Sequence, residues 1–185
     1  KILNYNGENT AALKILQQGL DEPVSDEAKI ELLLVIANIE LQLGEDGPYK
    51  EQVRGMEVFH PGRDEEKESQ YKAEQLAQSV QTFEALLRLS PEHATALSGY
   101  SRALRLSGKH TKAISVLEKL QEKYPTNPGF GIPLAMTYME TKETAKATKT
   151  LENYLINWPR NATALDMLAE LYQAAGQSDQ ADDMR

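Results

Sequence analysis

The chain has 185 residues, 41% hydrophobic and 26% charged, with a formal net charge of −8 and no cysteine. This fits one ordinary domain or one short repeat array, and it excludes disulfides, thiolate metal sites, iron–sulfur ligation and cysteine nucleophiles. An acidic balance without a Lys/Arg block speaks against nucleic acid as a partner, because backbone binding needs clustered positive charge to displace counterions.

No apolar run approaches the ~20 residues of a membrane span. The longest runs from Ile30 to Ile39 and contains Glu31 and Asn38, so membrane insertion is not expected. The chain opens at Lys1 without a basic, apolar and small-residue leader. The compartment therefore stays open between cytoplasm and periplasm.

The predicted elements follow from a repeat. Pro91, Pro125 and Pro159 recur every 34 residues, each closing an apolar-periodic stretch, as proline does after a helix end. Counted back from Pro23, Ala11, Ile15 and Gln18 occupy second-helix columns, so residues 1–23 read as the second helix of a partial repeat.

Pro23 and Pro91 are two periods apart, but the stretch from Arg63 to Gln70 is wholly polar where a buried helix would belong. Residues 24–91 therefore read as one lengthened hairpin with an insertion at about 45–74. Ser25 and Asp26 can cap its first helix. Leu33, Ile36 and Ala37 fill that helix's buried columns, and Gly44 falls in the column of the turn. From about Asp64 a polar helical extension runs into a helix ending near Ser90, with Ser79, Phe83 and Leu86 in its buried columns.

Residues 92–125 and 126–159 are full repeats, and 160–185 is a truncated one, all within one solenoid domain. The columns are Leu97, Gly131 and Leu165; Tyr100–Ser101, Leu134–Ala135 and Leu168–Ala169; Leu104, Tyr138 and Tyr172; Gly108, Lys142 and Gly176; Ala113, Ala147 and Ala181; and Leu117 and Leu151. Each unit predicts two helices of about 13 residues around a turn that wants a glycine's positive φ. A single hairpin cannot bury both faces, so stacking is implied.

These columns resemble the tetratricopeptide repeat (TPR) family over residues 92–185. Gly131 in place of a large residue, Lys142 in place of glycine, and the lack of tryptophan at Leu97 are departures from its pattern. The resemblance implies an all-α fold, a right-handed α-solenoid of antiparallel helical hairpins. Pro128, Gly129, Gly131 and Pro133 predict that the helix near Gly129 starts late or bends, with weak packing around it.

No motif here announces catalysis, a cofactor or a metal. His60, His93 and His110 form no i, i+4 pair. His93 and His110 read as exposed residues at helix starts. Gly129 and Gly131 have no preceding strand or third glycine for a dinucleotide loop, and Gly108-Lys109 lacks the rest of a phosphate loop. Asp64-Glu65-Glu66 with Glu68 reads as a solvated helical face. Asn161 lies in a formal glycosylation sequon and reads as a helix cap. Trp158 reads as packing at a helix end.

The family resemblance implies a non-enzymatic scaffold or adaptor for protein binding, with a peptide or protein segment held in the concave groove lined by first helices. Carried over by column, the groove comprises Ser98, Arg102 and Arg105, then Ile132, Met136 and Met139, then Asp166, Glu170 and Gln173. It would run from basic through apolar to acidic. The lysine–asparagine–arginine set with which some members clamp a terminal carboxylate is not matched. Tyr49, Met56, Val58 and Phe59 form a second candidate patch, for a partner or for self-association. The alternative role is an accessory module of a larger enzyme or of a secretion or assembly machine.

Overall fold

The computed structural model describes residues 3–47, 52–53, 56–57 and 64–183. Its contacts gather into two compact units, Lys1–Gly108 and Lys109–Arg185.

The first unit contains α1 (Leu3–Asp21), α2 (Asp26–Asp46), a two-rung antiparallel ribbon of β1 (Gln52–Val53) and β2 (Met56–Glu57), α3 (Glu65–Leu89) and α4 (Ala94–Leu106). Among the described residues the ribbon is the only strand pairing. α1 packs on α2, α2 on α3, and α4 on both α3 and α2. The local reasons are legible. Ser25 Oγ accepts the Ala28 N–H at 3.2 Å, starting α2 with Asp26 and Glu27 in its first turn. Asp64 Oδ1 accepts the Lys67 N–H at 3.1 Å, starting α3 ahead of Glu65, Glu66 and Glu68. Carboxylates at both N-termini complement the helix dipole.

The polar run beginning at Asp64 forms the first turns of α3, which continues unbroken to Leu89. Glu65 and Glu66 are exposed there, but Glu68 is buried and paired with Lys72, so the run is not wholly a solvated face. At the other end of the insertion, Gly44 does not make the turn. α2 runs on to Asp46, and Gly47 takes the left-handed conformation with φ 74°. Gly44 instead permits close approach, since a Cβ there would lie 2.6 Å from Leu76 Cγ. Leu33, Ile36 and Ala37 are buried as their columns require, and so are Phe83 and Leu86 on α3. Leu13, Ile36 and Leu43 form a shared core of α1 and α2, with Tyr71 of α3 packed against it. The columns counted back from Pro23 are not the buried ones on α1, where Ala11 and Gln18 are exposed and Ile15 is 68% exposed.

The second unit contains α5 (His110–Lys123), α6 (Pro128–Glu140), α7 (Thr144–Asn157), α8 (Ala162–Ala174) and α9 (Ser178–Asp183), each packed on the next. The columns repeat in the structure as in the sequence. Ala113, Ala147 and Ala181 are all buried, as are Leu117 and Leu151, and Tyr138 and Tyr172. Asn127 and Asn161 cap α6 and α8, accepting from Gly129 N–H at 2.8 Å and Ala164 N–H at 3.0 Å.

α6 does not start late. It begins with Pro128 in its first turn, where the missing N–H is harmless. It then continues through Pro133, whose carbonyl accepts the Thr137 hydroxyl at 2.7 Å. Nor does Gly131 leave a gap. A Cβ there would lie 2.6 Å from Tyr154 Cδ2, so the absent side chain makes room for that ring. Lys142 takes the turn conformation of its glycine counterparts, at φ 62° against 72° for Gly108 and 76° for Gly176.

A candidate protein-interaction face

A hydrogen bond between paired helices recurs along the chain. The Tyr138 hydroxyl donates to Glu118 Oε1 at 2.5 Å, tying α6 to α5. One repeat later the Tyr172 hydroxyl donates to Glu152 Oε1 at 2.7 Å, tying α8 to α7. Burial, reinforced by the hydrogen bond to Glu118, pushes the Tyr138 phenol up. For Tyr172 the bond to Glu152 contributes most and burial second. In the first unit Tyr100 donates to Glu84 at 2.7 Å, from one helical turn earlier in its own helix. Glu84, Glu118 and Glu152 are themselves spaced by 34 residues. This acidic column was legible in the sequence by spacing, although only the structure supplies its phenol partners.

The shared register fixes what the proposed columns present. In the second unit Tyr138 and Tyr172 hold α6 and α8 in equivalent settings, so Ile132, Met136 and Met139 have Asp166, Glu170 and Gln173 as their counterparts one repeat on. Ile132, Met136 and Met139 are half-buried, whereas Asp166, Glu170 and Gln173 are exposed. Their i, i+4, i+7 spacing puts each set on one helical stripe. α6 buries Phe130, Leu134, Ala135 and Tyr138 on its other side.

In the first unit α4 places Ser98 half-buried, Arg102 exposed and Arg105 half-buried. Arg102 is already engaged. Its Nε lies 2.7 Å and its terminal nitrogen 2.9 Å from the two carboxylate oxygens of Glu45 on α2, a bidentate fork. Its charge is thus offset within the unit, and the basic end of the expected gradient is weaker than the column alone suggested. Of the second candidate patch, Met56 falls in β2, while Tyr49, Val58 and Phe59 lie outside the described residues.

The remaining candidates settle into structural roles. His93, half-buried rather than exposed, accepts the Ala96 N–H through Nδ1 at 3.2 Å, capping α4. His110 is half-buried rather than exposed, with its Nδ1 3.3 Å from Glu140 Oε2. His60 lies outside the described residues. Asn161, besides capping α8, donates from Nδ2 to the Tyr154 hydroxyl at 3.2 Å. Trp158 packs against Tyr154 in a tilted arrangement, ring centroids 4.8 Å apart. Among the described residues no group of three or more His, Asp or Glu is placed to hold a metal ion. Among them, too, no helix is long and apolar enough to cross a membrane.

Comparison with known proteins agrees with this geometry. Residues 68–128 match one tetratricopeptide repeat profile and residues 104–157 match a second. No curated protein sequence matches the chain. Among solved structures, the MamA RS-1 ArsTM double mutant superposes with a TM-score of 0.72 at 15% identity, covering 98% of this chain and 84% of that one. A thermophilic TPR protein of Thermus thermophilus gives a TM-score of 0.57 at 21% identity, covering 98% and 82%. MamA 41-end from Desulfovibrio magneticus RS-1 gives 0.57 at 15% identity, covering 95% and 90%. At these identities the likeness establishes the fold, an all-α solenoid class of repeated helical hairpins. Buried repeat columns, left-handed turns one period apart and two matching profiles identify residues 68–157 as tetratricopeptide repeats.

Proposed function

We propose that this chain is a non-enzymatic protein-interaction scaffold that holds a segment of another protein on the first-helix stripes of its hairpins. In the second unit that surface comprises Ile132, Met136 and Met139 with Asp166, Glu170 and Gln173. Ser98, Arg102 and Arg105 are the corresponding set on α4. The observation that carries the reading is the stripe on α6, where three large apolar side chains at i, i+4 and i+7 remain half-buried while the opposite side of the helix fills the core. Methionine suits such a surface because its flexible, polarizable side chain adapts to different partners. Apolar anchors at this spacing are how a helix or extended segment is commonly gripped.

The test is affinity capture from a lysate of the source cell, with the natural chain and a Met136→Glu/Met139→Glu variant run side by side. Circular dichroism first establishes that both are equally helical. Proteins retained by the natural chain and lost from the variant support the reading. Proteins retained equally by both place binding elsewhere and overturn it.

A further inference from the structure

The chemistry of the second unit narrows the partner. From Asn161 to Asp183 the chain carries Asp166, Glu170, Asp179, Asp182 and Asp183 and no Lys, Arg or His. Among the described residues neither Asp166 nor Glu170 is paired with a cation, although both are exposed. Elsewhere in the unit Lys146 pairs with Glu143 at 2.5 Å, and Glu118 and Glu152 accept tyrosine hydroxyls. The two free carboxylates occupy the columns that hold Ile132 and Met136 one repeat earlier. An apolar stripe and an acidic stripe therefore run in the same register on α6 and α8.

We propose that the segment bound by this surface is a cationic amphipathic helix of a partner protein. Resting on the functional reading above, the proposal seats the helix's apolar face on Ile132, Met136 and Met139. Lys or Arg residues along one flank then reach Asp166 and Glu170. The stripe from Ile132 to Met139 is two helical turns, about 10 Å. An i, i+3/i+4, i+7 row of large apolar residues on the partner matches it in length. The acidic row selects the charge of the flank and the direction in which the helix lies. An anionic flank would meet uncompensated like charge, which disfavours wrong partners more strongly than ion pairs reward right ones.

Three synthetic helical peptides test this against the full chain. One has a Leu/Phe face with a Lys flank, one the same face with a Glu flank, and one the composition of the first in scrambled order. Binding is read by fluorescence anisotropy and by the spectrum of the chain labelled at its methionine methyl carbons, in which Met136 and Met139 are assigned by substitution. The expected result is that the Lys-flank peptide binds, the other two do not, and the Met136 and Met139 signals shift.

The variant Asp166→Lys/Glu170→Lys should weaken the Lys-flank peptide about tenfold or more and admit the Glu-flank peptide. If the Lys-flank peptide shifts both methionines but is indifferent to charge reversal, the cationic partner is overturned while the scaffold reading stands. Binding that leaves both methionine signals unmoved overturns the proposal and the α6 surface together. Equal binding of the scrambled peptide, or no binding of any peptide, overturns the proposal and leaves the scaffold reading to the capture experiment.

Discussion

Where α6 and α7 supply the core of their hairpin, the buried residues are Phe130, Gly131, Leu134, Ala135, Thr137, Tyr138, Ala147, Leu151 and Tyr154, and none is ionisable except as a phenol. Where α2 packs on α3, two carboxylates, Glu40 and Glu68, are buried among the apolar residues. Glu40 is 3% exposed and accepts the Thr82 hydroxyl at 2.7 Å. Glu68 meets Lys72 at 2.9 Å. Ser79 donates to the Ala37 carbonyl at 2.8 Å in the same interface. The regular hairpin is specified by columns that recur, so any one repeat predicts the next. The lengthened hairpin is specified by individual polar pairs, each of which must be satisfied in place because burial without a partner is costly.

The largest expected effect tests whether the first unit nonetheless has an apolar centre like the second. Phe83 is fully buried, and a Cβ on Gly99 would lie 2.3 Å from its Cζ, so the ring occupies space left open by that glycine. Phe83→Ala should cost about 3–5 kcal/mol, read as a shift in the urea midpoint with an unchanged slope. Leu151→Ala in the second unit should cost about 2–5 kcal/mol. A loss at Phe83 no larger than that of a surface substitution would mean the polar pairs, not the ring, organise the first unit.

The second effect is confined to the first unit. Burial pushes the Glu40 carboxyl up from 4.5 to about 6, against a smaller opposing influence from its Thr82 hydrogen bond. The folded state therefore holds this proton more tightly than the unfolded chain does. Its stabilising contribution is full below about pH 4.5 and is lost as pH rises through about 6, an amount of about 2 kcal/mol. Denaturation midpoints compared at pH 4.5 and pH 7 for the natural chain and for Glu40→Gln measure this. The variant should lose that component of the slope, and an unchanged slope would locate the titration elsewhere.

A third prediction probes the second unit's recurring bond. Tyr138→Phe removes the hydroxyl that meets Glu118 while keeping the ring, and it should cost about 1 kcal/mol. Tyr172→Phe should cost a similar amount, whereas Tyr100→Phe reports on the first unit's shifted version of the rung. Equal values at 138 and 172, measured by thermal unfolding, would make the register a repeated property.

The smallest effect is a gain. Lys142 holds φ 62° where its counterparts are glycine, a conformation that crowds an L side chain. Lys142→Gly should stabilise by up to about 1 kcal/mol. Gly108→Ala, with open space around its Cβ and φ 72°, should destabilise by about as much. If both changes are neutral, the turns do not constrain the hairpins.

By itself the sequence determined the repeat and the fold class. Proline, alanine and aromatic columns one period apart can be satisfied together only when identical hairpins stack and bury them, so their spacing carries the architecture. The alanines at 113, 147 and 181 and the left-handed position at 142 follow from that periodicity even where lysine replaces glycine. The proposed stripe on α6 and α8 came from the groove columns that the family resemblance implies, and its residues are half-buried on α6 and exposed on α8.

Only the tertiary structure decided what meets those columns from other helices. Glu45 neutralises Arg102 across 57 residues of chain. Tyr154 fills the space at Gly131, and Leu76 presses on Gly44. Thr82 reaches buried Glu40 from 42 residues away. Periodicity records which face of a helix is buried. It does not record which side chain from a neighbouring helix arrives there, because that depends on the packing distance and angle of two helices and not on the spacing within either.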